Sequence, residues 1–326
     1  MSQEPNIDGV LIQWGDRLFY PGNRVVKVKP QPRLGDRGLH QRADAIRKRI
    51  EATVVKRAPQ VMVKVTGGGR GMRAIASHFR YISKNGRLDI ETEQGDTVRG
   101  KSAVHDLDED WRYGGSLIGD EGYRREAFNI MLSMPRGTDP LIVQRAAREF
   151  ALTELADHKY VMVLHDHQAN PHVHISVRAE SKQGRRLNPR KTDLHRWRET
   201  FAENLRGYGV DAEATRQATR LRRRNPDDLW RLKAKDENRL RKLRPSSDSG
   251  PKALAYRPDA SDAWFHIGQA LASSADENDV NLARSITRFI RETSAPLERS
   301  KTAPDVIWDA LQSSSSNHAE LHRRDR

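Results

Sequence analysis

Four of the chain's twelve histidines fall within ten residues, HDHQANPHVH at 165–174. Histidine titrates near neutrality and is a common metal ligand, so such a cluster points to metal, proton transfer or phosphate contact. The spacing says more than the count. In PHVHISVR, strand alternation puts His172, His174, Ser176 and Arg178 on one face and Val173, Ile175 and Val177 on the core face. His165 ends the preceding apolar run, and antiparallel pairing across the Asn170-Pro171 turn returns it beside His172 and His174. Three neutral imidazoles from two strands can hold one divalent ion and leave coordination positions open. Imidazole does not choose among Mg, Mn, Zn, Co and Ni. The plainer alternative is a row of surface histidines, since H-x-H is a short pattern. Within the turn, Asp166 is placed to orient an imidazole by accepting its free N–H, and His167 is a turn residue.

An open metal site in a basic protein suggests phosphate chemistry, which needs a nucleophile. The chain has no cysteine, so water, Ser/Thr or Tyr remain. One tyrosine stands apart. Met72, Ile75, Phe79 and Ile82 form an apolar stripe on an expected helix, and Tyr81 falls roughly 140° from its centre. Core packing does not explain it; an ordinary surface tyrosine would.

The elements that must position these groups are legible as alternation and periodicity. VMVKVTGGG reads as a strand ended by a glycine turn, and MRAIASHFRYISKNG as a helix closed by Asn85-Gly86. Helices are expected at 104–113, 140–156 and 194–208, and strands at 127–134, 159–164 and 172–178. The order β-α-α-β-α-β-β-α predicts an α+β domain, an antiparallel β-sheet flanked by helices, over 59–225. Residues 1–58 read as a basic N-terminal extension with a helix around 39–54, and 216–250 as a basic segment and linker. Residues 251–326 read as a mainly helical C-terminal extension, with helices at 262–275, 279–292 and 304–312.

Net charge is +14 with pI near 10.1, which points to a polyanionic partner, nucleic acid before anionic membrane. Residues 216–244 hold twelve Lys/Arg against four Asp/Glu, more than half of that excess. Arg222, Arg223 and Arg224 are the natural backbone contacts for DNA there, a solvated charged helix being the alternative. Trp197 and Trp230 are candidates to stack unpaired bases, with buried packing the preferred reading of Trp197. The run Gly67–Gly71 with Arg70 is either a tight turn or a place where backbone N–H groups meet a phosphate near Tyr81. No apolar run approaches the ~18–20 residues of a membrane span, and no secretory signal pattern opens the chain. The expectation is a cytoplasmic protein without membrane insertion.

Taken in order, three stretches resemble the conjugative relaxases of the HUH endonuclease superfamily, in particular the mobilisation nucleases of the MOBP-type, T-DNA-border branch. SHFRYISKNGRL resembles the nucleophile motif with Tyr81 in the tyrosine position; IMLSMPRGTD resembles the second motif, with Ser133 at the strand end; HDHQANPHVHISV resembles the three-histidine motif. The likeness covers about residues 60–225. One departure is the acid often found two residues after the first histidine, where this chain has His167, with Asp166 one position early.

The resemblance implies nicking of single-stranded DNA at an origin of transfer, with Tyr81 attacking the scissile phosphate and staying joined to its 5′ side. It implies a divalent ion, Mg or Mn, on His165, His172 and His174, with His167 or His78 as proton acceptor. Ser133, Arg70 and Arg178 join the DNA contacts. Accessory relaxosome proteins and a type IV coupling protein are the implied partners, with delivery to a recipient cell and a secretion signal in 251–326, where a small helical subdomain that only stabilises the fold is the equal alternative. A rolling-circle replication initiator is the second reading; its H-x-H usually precedes its tyrosine, and here Tyr81 comes first. A non-catalytic DNA-binding protein with structural histidines is the third.

Overall fold

The computed structural model describes residues 6–20, 36–215, 219–221 and 258–294. Arg222, Arg223, Arg224, Trp230 and the helix expected at 304–312 lie outside them. The chain opens with α1 (Ile7–Phe19) and α2 (Asp36–Ile50). Then come β1 (Met62–Gly67), α3 (Met72–Ile82), β2 (Ile90–Thr92), β3 (Thr97–Val98), α4 (Lys101–Tyr113) and β4 (Ala127–Ser133). After these run α5 (Pro140–Glu154), β5 (His158–His165), β6 (His172–Ser181) and α6 (Lys191–Gly207), and finally α7 (Pro258–Ala272) and α8 (Glu277–Ser294). Two compact units result, one of residues 58–214 and one joining 1–57 to 215–326.

In the first unit the strands form one sheet in the order β1-β4-β6-β5-β2-β3, with every neighbouring pair antiparallel. It is the expected α+β class, an antiparallel sheet flanked by helices. Alternation sorts its side chains to two faces. One carries Val63, Ile130, Leu132, Ile175 and Met162 against Phe150 of α5 and Trp197 and Phe201 of α6. The other carries Val161 and Val163 against Met72, Ile75, Phe79 and Ile82 of α3 and Trp111 of α4. Helix α3 forms because its apolar residues recur at helical spacing and bury together, and Tyr81, off that stripe, remains 67% exposed. Gly86 (φ +78°) closes the turn after α3, where a Cβ would stand 2.4 Å from the carbonyl oxygen of Gly100. Asp139 caps α5 by accepting from Leu141 N–H (2.8 Å), with Pro140 in the first turn.

The structure departs from expectation in two places. The short hairpin β2–β3 extends the sheet beyond β5, although its three- and two-residue strands are too brief to show alternation. The histidine face of β6 is not open: α3 and α4 cover it, and His172, His174, Ser176 and Arg178 are all buried. Trp197, as expected, is in the core: it is 1% exposed and packs edge-on to Phe150 at 5.9 Å between centroids, so it does not stack bases. Trp197→Ala should cost about 3–5 kcal/mol by leaving a cavity in this core. Urea denaturation at unchanged slope reads that cost, and a loss under ~1 kcal/mol would contradict the packing described.

In the second unit, the stretch expected as an extension supplies two helices with a tertiary role. Leu11 and Leu18 of α1 and Ile46 and Ile50 of α2 share a core with Trp264, Ile267 and Leu271 of α7 and Ile286 and Ile290 of α8. Arg47 bonds the buried carboxylate of Asp279 (2.8 Å) and also pairs with Asp8 (2.9 Å), so a charge on α8 is matched by one on α2.

Candidate active site

The antiparallel register places His165 directly opposite His172, and His174 opposite Val163 two pairs further along, on the same face. The three rings lie 4.7–5.0 Å apart between centroids. One ring nitrogen from each falls within 4.8 Å of the others, the separation at which one ion can be shared. All three side chains are buried. Backbone carbonyls set two of the tautomers. A carbonyl can only accept, so His165 donates from Nε2 to Ile82 (2.7 Å) and His172 from Nδ1 to Asn170 (2.9 Å). That leaves Nδ1 of His165 and Nε2 of His172 with lone pairs to offer. Nδ1 of both His165 and His174 is buried without a hydrogen-bond partner. Buried ring nitrogens left without a partner in such a cluster fit a cation, and the all-imidazole donor set suits a divalent metal.

Burial pushes the His174 imidazole down to about 3 and His165 below the ordinary imidazole range, the neighbouring histidines adding to both effects. Both therefore stay neutral, the form that ligates metal. The linkage follows in sign. Unfolded imidazoles take up protons near ~6.5, the folded ones resist, and stability rises with pH between those values. It is complete above ~6.5 and erodes on acidification. In EDTA, the melting temperature should fall between pH ~7 and ~5, and less steeply for His174→Gln. Identical pH profiles for the two proteins would contradict this placement of His174.

Helix α3 runs back along the sheet from the glycine turn and brings its last turn to the histidines. Tyr81 lies 6.2 Å from His174 and 6.0 Å from His78, ring centroid to centroid. His78 lies 6.2 Å from His174, and its Nε2 is buried without a partner. Burial takes it down to about 4. Ile82, whose carbonyl orients His165, follows Tyr81 in the chain, so one turn of α3 presents the phenol and fixes a ligand. Ser133 pairs across the sheet with His172, and its hydroxyl donates to the carbonyl of Pro171 (3.3 Å).

Other expected site residues fall elsewhere. Asp166 and His167 are exposed in the turn, His167 at 5.2 Å from His165 by ring centroids. Carbonyl oxygens, not Asp166, orient His165 and His172. Sequence patterns could not have shown this, because a backbone acceptor has no side-chain signature. Arg178 is corrected outright as a DNA contact. It is 3% exposed, and its guanidinium donates to the carbonyls of Trp111 (2.8 Å), Gly114 (3.1 Å) and Ser116, pinning the segment after α4. Arg70 and the glycine run stand at the start of α3, eleven residues before Tyr81. At 1.5 Å per residue that is roughly 16 Å away, too far for those N–H groups to meet a phosphate at Tyr81. The run serves close packing instead: a Cβ on Gly71 would stand 2.3 Å from the Asp120 carbonyl oxygen.

Comparison with known proteins gives a match of residues 84–210 to the family model described as relaxase, MobA/VirD2-like, nuclease domain. The T-DNA border endonuclease VirD2 of Rhizobium radiobacter is 23% identical over 181 residues, covering 49% of this chain and 43% of that protein. The chain thus spans less than half the length of this curated relative. The family match includes the three histidines and Ser133 and begins three residues after Tyr81.

Proposed function

Since the chain carries a relaxase nuclease domain of the MobA/VirD2-like type, we propose that it nicks one strand of DNA at an origin of transfer by tyrosine transesterification. The observation that carries this reading is the placement of Tyr81, exposed on the last turn of α3, 6.2 Å from His174 of a buried three-histidine cluster. Tyr81 Oη forms the new bond to phosphorus, the bond to the 3′ bridging oxygen breaks, and a 5′-phosphotyrosine and a free 3′-hydroxyl result. No water is consumed, so attack by a 3′-hydroxyl reverses the step and reseals DNA. A divalent ion held by His165, His172 and His174, Mg or Mn in this proposal, would withdraw charge from the non-bridging oxygens and align the phosphate.

The chain's own groups do the rest. In this reading His78, 6.0 Å from Tyr81 between ring centroids, helps to orient the phenol. Burial holds the His78 imidazole down to about 4, which disfavours storing the proton there. On the same reading the proton leaves instead toward solvent, with the exposed His167 as its acceptor. Ser133 holds the Pro171 carbonyl beside His172, and Asp166 faces solvent in the same turn.

We further propose accessory relaxosome proteins and a type IV coupling protein as partners, action in the cytoplasm and delivery with the DNA. Among the described residues no helix is long and apolar enough to cross a membrane. Arg222, Arg223 and Arg224 remain proposed backbone contacts. We also propose a transfer signal within 251–326. Because α7 and α8 share a core with α1 and α2, a truncation meant to isolate that signal should fall after Ser294. The test of the nicking reading is incubation with labelled single-stranded oligonucleotides tiled across the origin region of the native replicon. One oligonucleotide should yield an SDS-resistant protein adduct and a shortened 3′-hydroxyl fragment. Cleavage to two free fragments would indicate hydrolysis instead.

A further inference from the structure

Lysine rarely adopts left-handed backbone angles, yet Lys84 has φ +50°, with Asn85 at +58° after it. Such outliers persist where the surroundings impose them, and they recur at functional sites. Here the turn continues α3 directly: Lys84 N–H donates to the carbonyl of Tyr81 (3.2 Å) and Asn85 N–H to that of Arg80 (2.7 Å). Lys84 stands two residues after Ile82, whose carbonyl accepts from His165 Nε2 (2.7 Å), so the turn ties it to that side of the cluster. Its side chain is exposed and has no ion-pair partner among the described residues. Arg80, one turn earlier on α3, differs in pairing with Asp108. On the other side of the cluster, Arg136 is likewise exposed and without an acidic partner among the described residues. Its N–H donates to the Asn170 side chain (3.0 Å), and the Asn170 carbonyl holds His172. Two unmatched cations are thus fastened to the backbone that carries the ligands, one beside His165 and one beside His172.

We infer that Lys84 and Arg136 bind the DNA phosphates on either side of the one attacked by Tyr81, an inference that rests on the nicking reading above. A cation that already neutralises a carboxylate gains little from a phosphate, whereas an unpaired one releases counterions from the strand. The turn holds Lys84 in an unfavourable conformation that glycine would adopt freely, so its retention there asks for a use of the charge.

Binding of a fluorescent single-stranded oligonucleotide spanning the wild-type nick site, measured against salt concentration with full-length protein, tests this. Lys84→Gly and Arg136→Gln should each weaken binding about fivefold at low salt and flatten the log–log salt slope by about 0.7, the double variant by about 1.4. Lys84→Arg should behave as wild type. Lys84→Gly should melt at or above the wild-type temperature, since glycine relieves the turn. A purely structural role would reverse that pattern, with lowered melting temperature and an unchanged salt slope. Wild-type affinity and slope in both neutral variants would overturn the inference even if the wild type nicks. Should the wild type form no adduct, the nicking reading fails while the slopes, on an oligonucleotide from the same region, still decide whether these cations meet phosphate.

Discussion

Tyr81→Phe should form no SDS-resistant adduct with origin oligonucleotides, at least about a thousandfold below wild type, while DNA binding stays within about twofold. The substitution removes one oxygen and leaves the ring, and Tyr81 is exposed on α3 outside its buried stripe. The helix should therefore fold and dock as before, with His165 still bonded to the Ile82 carbonyl. A gel of denatured complexes beside a binding titration separates the two effects. Wild-type adduct from the phenylalanine variant would mean that another residue attacks phosphorus.

The double replacement His172→Ala, His174→Ala should abolish divalent-ion binding and nicking together, with His165→Ala nearly as severe. Two of three ligands disappear, and one buried imidazole does not hold a divalent ion in water. Calorimetric titration with Mn should show no binding, EDTA should reproduce the loss in wild type, and added Mg or Mn should restore only the wild type. Oligonucleotide binding should fall far less than cleavage, because phosphate contacts elsewhere persist. Full cleavage by chelated enzyme would remove the metal from the account.

How much of this was legible depended on the length of each pattern. The alternation of PHVHISVR continues over enough residues to put three apolar side chains on one face and the histidines on the other, and β6 follows it. The stripe from Met72 to Ile82 located α3 and left Tyr81 outside the core for the same reason. Alternation does not say what covers a face, however. Arg178 looked available for DNA because its place beneath α4, with its guanidinium on three carbonyls, depends on tertiary packing. The hairpin at 90–98 was too short to read. The partnership of α1 and α2 with α7 and α8 joins segments some two hundred residues apart, as in the Arg47–Asp279 pair, and no local pattern encodes it. Carbonyl ligand-orienters such as those of Ile82 and Asn170 are invisible in side-chain chemistry altogether.

The central claim is that Tyr81 becomes covalently joined to the 5′ end of the cleaved strand at a three-histidine metal site. Its most direct measurement is mass spectrometry of the adduct after protease and nuclease digestion. The account predicts one modified peptide, from the end of α3, with a nucleotide joined through its 5′-phosphate to the Tyr81 oxygen. A nucleotide on a different residue, or nicked DNA with no peptide attached, would contradict it.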